Sequence, residues 1–143
     1  MLKKIDSLKH VRKEREKIKE RERDLLIPSL EDLSLIPCLY GLFEEIGIEE
    51  NRPDALFNVY ERKKFFFIIL FLYSPGTLLG DKMPPGLRSI LGATLKLHSN
   101  SVVSNDCAGI MFLYERYSDF RKETDEAYRE IAMRLEKNLG IRL

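Results

Sequence analysis

Apolar residues recur at helical spacing along most of this chain, and the one run rich in strand formers has no second strand to pair with. From Lys3 to Leu26 there is no glycine or proline, and Lys, Arg and Glu, all good helix formers, dominate. Val11, Ile18 and Leu25 return every seven residues, while Arg15 and Glu22 hold the positions of a second apolar seam. That is half of a coiled-coil pattern. It predicts a charged helical arm over residues 1–26, which is solvated and docked at a few apolar points, or contacts a partner or a second copy of the chain, or binds phosphate. Ile27-Pro28 closes the arm, because the residue before proline is pushed out of helical geometry.

Ser29 to Asp32 offers a capping box, and Ser34 offers a second start that leaves Pro37 in the first turn. Leu35, Ile36, Leu39, Leu42, Phe43 and Ile46 then form one stripe ending at Gly47. After the acidic loop around Glu49-Glu50 comes Asp54 to Tyr73, whose nine-residue run Phe65–Tyr73 suits a buried strand as well as a helix. A lone strand would leave its backbone groups unpaired, so the reading is one helix of about 20 residues that enters the core. The run is about half of what a bilayer crossing needs, so it is core or interface and no membrane partner is expected. Near the other end, Phe120, Ala127, Ile131 and Leu135 share a helical face beside Tyr128, and Leu139-Gly140 supplies a stop.

Between these lie residues 84–117, two helical patterns joined by a polar corner. Pro84 and Pro85 suit the entry turn, and Leu87, Ile90, Leu91 and Leu95 face inward. The corner is Lys96 to Asn100. Ser99 or Ser101 can cap the second helix, which runs on with Val103, Cys107, Ile110 and Tyr114 inward. Its exposed start is left with Ser99, Asn100, Ser101, Ser104, Asn105 and Ala108. These are short, uncharged side chains that can reach base edges, and asparagine can bond an adenine edge bidentately, which makes Asn105 the leading base contact. Lys82, Arg88 and Lys96 flank the unit, with Lys63 and Lys64 near it, and would neutralise phosphates.

With small Gly92, apolar Leu95 and Leu97, and Val103-Ser104-Asn105 in place, this stretch resembles the helix-turn-helix regions of small DNA-binding proteins of phages and mobile elements, over about 30 residues. Lys96 stands where the motif's turn glycine is usual, the corner is one residue longer, and acidic Asp106 falls close to the expected phosphate path. The resemblance implies double-stranded DNA as partner, for a regulator or a recognition subunit such as a small terminase subunit, with protomers paired so that two recognition helices meet successive grooves.

Length and charge fit that reading. A chain of 143 residues, 44% hydrophobic and 33% charged, suits one globular helical domain. The expected architecture is mainly α: five or six helices over residues 27–143 behind the arm. The net charge of +1 hides a segmented distribution: +4 over residues 1–24, −6 over 25–62, +4 over 63–104 and −1 over 105–143. A phosphate-attracting patch can therefore exist on a nearly neutral molecule.

No catalytic chemistry is declared, so no enzyme, cofactor or catalytic residue is expected. Gly76 to Lys82 imitates a phosphate-binding loop, but the glycine spacing is one residue short and Met83 stands where Ser or Thr should be. His10 and His98 lack a second ligand at metal spacing, so no metal site is expected. The carboxylates at Glu44-Glu45, Glu49-Glu50 and Glu123 to Glu126 read as solvated faces. Cys38 and Cys107 both fall among apolar residues as free thiols, and with no secretory segment visible at Met1 the expected location is the cytoplasm. The rival to DNA binding is a structural or adaptor protein that assembles through the arm and the aromatic helix.

Overall fold

The computed structural model describes residues 1–143 and is mainly helical, with no strand. It has seven α-helical segments: α1 (Leu2–Leu26), α2 (Ile36–Glu49), α3 (Val59–Tyr73), α4 (Leu87–Thr94), α5 (Asn100–Cys107), α6 (Ile110–Arg116) and α7 (Ser118–Leu139). Short 3₁₀ turns precede α2 and follow α3, at Leu33–Leu35 and Pro75–Leu79.

Helix α3 is the hub. Its aromatic and aliphatic run is apolar around nearly the whole circumference, so every side of it must be covered. The elements α2, α5, α6 and α7 supply that cover. Phe65, Phe66, Ile69 and Leu72 are completely buried. The Phe65 ring meets Tyr40 and Phe43 of α2 at centroid distances of 5.2 and 5.4 Å. On α7, Phe120, Ala127, Ile131 and Leu135 are buried on the face that their spacing marks out.

Helix α3 starts at Val59, later than the 20-residue expectation. Two polar side chains set the start. The Asp54 carboxylate accepts the Leu56 amide at 2.9 Å, which holds residues 54–57 in a turn, and Asn58 Oδ1 caps the helix by accepting the Glu61 amide at 3.1 Å. In the first turns of α3 the apolar side chains face out and the charged ones in: Val59 and Tyr60 are exposed, while Glu61, Arg62 and Lys64 are buried.

Buried charge is tolerable only when paired. Lys64 Nζ lies 2.6 Å from Glu61 Oε1, is also bridged to Glu123 of α7, and sits 4.5 Å from the centroid of the Tyr60 ring. Lys64 is therefore removed from the set of phosphate contacts, because its ammonium is used inside the fold.

The start of α2 follows the Ser34 reading rather than the Ser29 box. Asp32 accepts the Ser34 amide at 3.0 Å, and Pro37 sits in the first turn, where its missing amide proton has no intrahelical use. The helix passes through Gly47 and stops at Glu49, because Asn51 takes a left-handed φ of 55° and lets the Arg52 amide reach back to the Gly47 carbonyl at 2.8 Å. Gly140 provides the equivalent stop for α7, at φ 66°.

The arm is longer and barer than docking at apolar points would make it. As 25 residues of α-helix it extends about 37 Å. None of its residues is buried, and Val11, Ile18 and Leu25 are 58, 62 and 77% exposed. Only its base is anchored, where half-buried Leu26 lies against Gly76. Cys38, expected among apolar neighbours, is exposed instead, on the outer side of α2.

Candidate nucleic-acid interface

Helices α4 and α5 form a tight pair joined by Leu95 to Ser99. Leu87, Leu91 and Leu95 are buried, Ile90 is half-buried, and Val103 meets them from α5 with no exposure. Gly92 lies at their contact: a Cβ there would meet Asn100 Oδ1 at 3.4 Å and Val103 Cγ2 at 3.7 Å, ordinary van der Waals distances.

The corner is made by the backbone of Lys96, at a left-handed φ of 54°. That geometry brings the Leu97 amide onto the Gly92 carbonyl at 2.8 Å and ends α4. Lysine thus takes the conformation glycine adopts without strain, and its side chain is left exposed at the outside of the bend.

Ser99 stands at the cap position of α5, but its hydroxyl pairs with Ser101 Oγ at 2.7 Å instead of accepting a backbone amide. The expected serine cap is therefore absent: each hydroxyl finds the other closer. The second helix also does not run on to 117. It ends at Cys107, and Gly109, at φ 70°, turns the chain before α6 begins at Ile110. A left-handed glycine two residues past the helix is a stop that the inward apolar spacing of Cys107, Ile110 and Tyr114 had concealed.

Asp106 changes most from the sequence expectation. It points inward, 8% exposed, with Oδ2 receiving a hydrogen bond from Arg62 Nε of α3 at 2.6 Å. The carboxylate expected to oppose phosphates is neutralised inside the fold. Arg62 is 44 residues earlier in the chain, and no local spacing links the two.

The solvent side of α5 is consequently uncharged. Asn100, Ser101 and Asn105 are exposed, with Ser101 and Asn105 one turn apart on the same face. Ser99 and Ser104 are half-buried, and Ser104 Oγ lies 3.4 Å from the Asn100 carbonyl, a long bond that ties it to its own helix. Asn100 Nδ2 reaches Ser89 Oγ of α4 at 3.4 Å, which joins the exposed rims of the two helices.

Arg88, one residue from Ser89, is exposed and close enough to Cys107 to favour its thiolate. Burial and the Asp106 carboxylate outweigh it and push the Cys107 thiol up to about 12, so this half-buried thiol stays protonated and unreactive. Lys82 and Lys96 are also exposed. No cluster of His, Cys, Asp or Glu has metal-binding geometry, and no helix is long and apolar enough to cross a membrane.

The fold therefore brings Arg88, Ser89, Asn100, Ser101, Asn105 and Lys96 onto the rims of one two-helix unit, and it withdraws Asp106 and Lys64 from it. Compared with protein-family models, curated proteins and solved structures, the chain matches none.

Proposed function

We propose that this chain binds double-stranded DNA through the α4–α5 unit, with the start of α5 entering the major groove. The observation that carries the reading is the inward turn of Asp106 onto Arg62, which leaves α5 with a solvent face of neutral hydrogen-bonding side chains. Asn105 is the principal base contact, assisted by Ser101 and Asn100, with Ser99 and Ser104 at the margin. Lys82, Arg88 and Lys96 bind phosphates and position the unit. The helix length, the left-handed corner at Lys96 and the likeness to phage and mobile-element proteins fit a regulator or a DNA-recognition subunit, and two free cysteines suit a reducing intracellular compartment.

A salt-titrated anisotropy assay on random duplex DNA tests it. Each neutralised phosphate contributes about −0.9 to the slope of log affinity against log salt, so Lys82→Ala, Arg88→Ala and Lys96→Ala should each make the slope shallower by about that amount. Ser104→Ala with Asn105→Ala should leave the slope unchanged and flatten the preference among sequences. Affinity that does not respond to salt would end the proposal.

A second reading is favoured by the bare arm. Four apolar side chains, Leu8, Val11, Ile18 and Leu25, are each at least half exposed on a helix that meets the body only near its base, and pairing with a second arm would cover them. The resulting homo-oligomer is compatible with DNA binding, since two-fold pairing would present two α5 helices. Replacing Val11, Ile18 and Leu25 with glutamate should then reduce the mass in solution to that of one chain; an unchanged mass refutes arm pairing.

A further inference from the structure

The two-helix unit uses one side of α3, and a separate cavity of about 180 Å³ opens on another, between α3, α6 and α7. Its walls are unusually aromatic. Phe67 of α3 stacks on Tyr114 of α6 with centroids 4.3 Å apart and planes 15° from parallel. Phe71, one turn along α3, meets Tyr128 of α7 edge to face at 5.4 Å and 85°. All four rings border the cavity, and the one charged group among its lining residues is the Asp125 carboxylate.

Two observations separate this cavity from ordinary loose packing. Phe71 is 45% exposed although it belongs to the most buried helix in the molecule, so a large ring is kept at the mouth rather than in the core. Asp125 is held in place: Tyr114 donates its hydroxyl to Oδ1 at 2.7 Å, which leaves Oδ2 free of any hydrogen bond within the protein. A fixed carboxylate among aromatic rings is wrong for an anion and poor for a neutral hydrocarbon.

The chemistry suits a cation that is itself apolar on its surface. Ring faces carry negative potential and attract an alkylated ammonium without needing hydrogen bonds from it, and a nearby carboxylate completes the charge balance. The volume is many times the roughly 10–15 Å³ that one water requires, yet short of the roughly 300–1,000 Å³ of a drug-sized pocket, which limits the ligand to a compact head group. Burial, and then the hydrogen bond to Asp125, push the Tyr114 hydroxyl up; Arg121 opposes this, but it is exposed and does not border the cavity.

We infer that the cavity bounded by Phe67, Phe71, Tyr114, Tyr128 and Asp125 is a binding site for the head of a small free alkylammonium solute, of the trimethylammonium class. It is independent of the DNA reading, since none of these residues belongs to α4 or α5.

The test is a titration of the full-length protein with choline, followed by the ring-proton NMR signals of its tyrosines. The neutral isostere 3,3-dimethylbutan-1-ol and sodium chloride serve as the other arms. Choline should give saturable shifts, with the neutral isostere weaker by about tenfold, the ratio expected when a desolvated cation–ring attraction is removed. Asp125→Asn and Phe71→Ala should each weaken choline several-fold while the far-ultraviolet circular dichroism stays unchanged. Equal affinity for the neutral isostere would overturn the assignment, because the cavity would then be only an apolar gap. Absence of saturation by choline would overturn it as well. So would co-sedimentation with phosphatidylcholine vesicles without any response to free choline, which would make the site a surface for lipid heads instead.

Discussion

Removing the Asp106 carboxylate should destabilise this protein more than almost any other single polar change on α5. The Arg62 and Asp106 side chains are 10 and 11% exposed and joined at 2.6 Å, so Asp106→Ala leaves a guanidinium buried without its counter-charge. Breaking a buried pair by deleting one partner costs about 3–5 kcal/mol, against a total stability of about 5–15 kcal/mol for a domain. With a urea dependence of about 2 kcal/mol per molar for a chain of this size, the unfolding midpoint followed by circular dichroism should fall by about 2 M.

The pair does not make the protein stable in an absolute sense. Converting both partners to apolar residues of similar volume, Arg62→Met with Asp106→Leu, should recover most of the loss, because no charge is then left without compensation. A midpoint for Asp106→Ala within a few tenths of a molar of the parent, at unchanged slope, would refute the reasoning. The carboxylate would then have to face solvent, and the uncharged face of α5 on which the DNA reading rests would be lost with it.

Three further outcomes follow from local geometry. Lys96→Gly should raise stability by about 1 kcal/mol, since glycine adopts the φ of 54° without strain, and yet lower DNA affinity; a variant that is less stable would contradict the corner described here. Gly109→Ala should cost about 1–2 kcal/mol in urea unfolding, because a Cβ is strained at φ 70° even though open space surrounds it. Burial, and then the Asp32 carboxylate, push the Tyr73 hydroxyl up to about 12, and Tyr40 is raised by burial and then by Glu44 and Asp54. Both raised values favour the protonated form in the folded state. Their contribution is complete below the unfolded value near 10 and is lost as pH rises through 12, so urea midpoints should fall across that interval; a flat profile would count against it.

By itself the sequence determined the helical class, the arm that ends at Ile27-Pro28, the inward faces of α2, α4 and α7, and the stop at Gly140. These are properties of neighbours along the chain: periodicity, proline geometry and terminal glycine act within a few residues and are readable there. The tertiary structure alone decided which charges are free. Lys64 and Asp106 look like surface groups in any local window, and each is buried where a distant element meets it: Glu123 joins Glu61 around Lys64, and Arg62 pairs with Asp106. The same holds for the arm, whose apolar positions are legible but whose lack of cover depends on how far it projects from the body. It holds also for the aromatic cavity, which exists only because α3, α6 and α7 bring together rings that are dozens of residues apart. Helix formation is a local balance, whereas desolvation of a charge depends on everything that surrounds it, and only the folded arrangement supplies that.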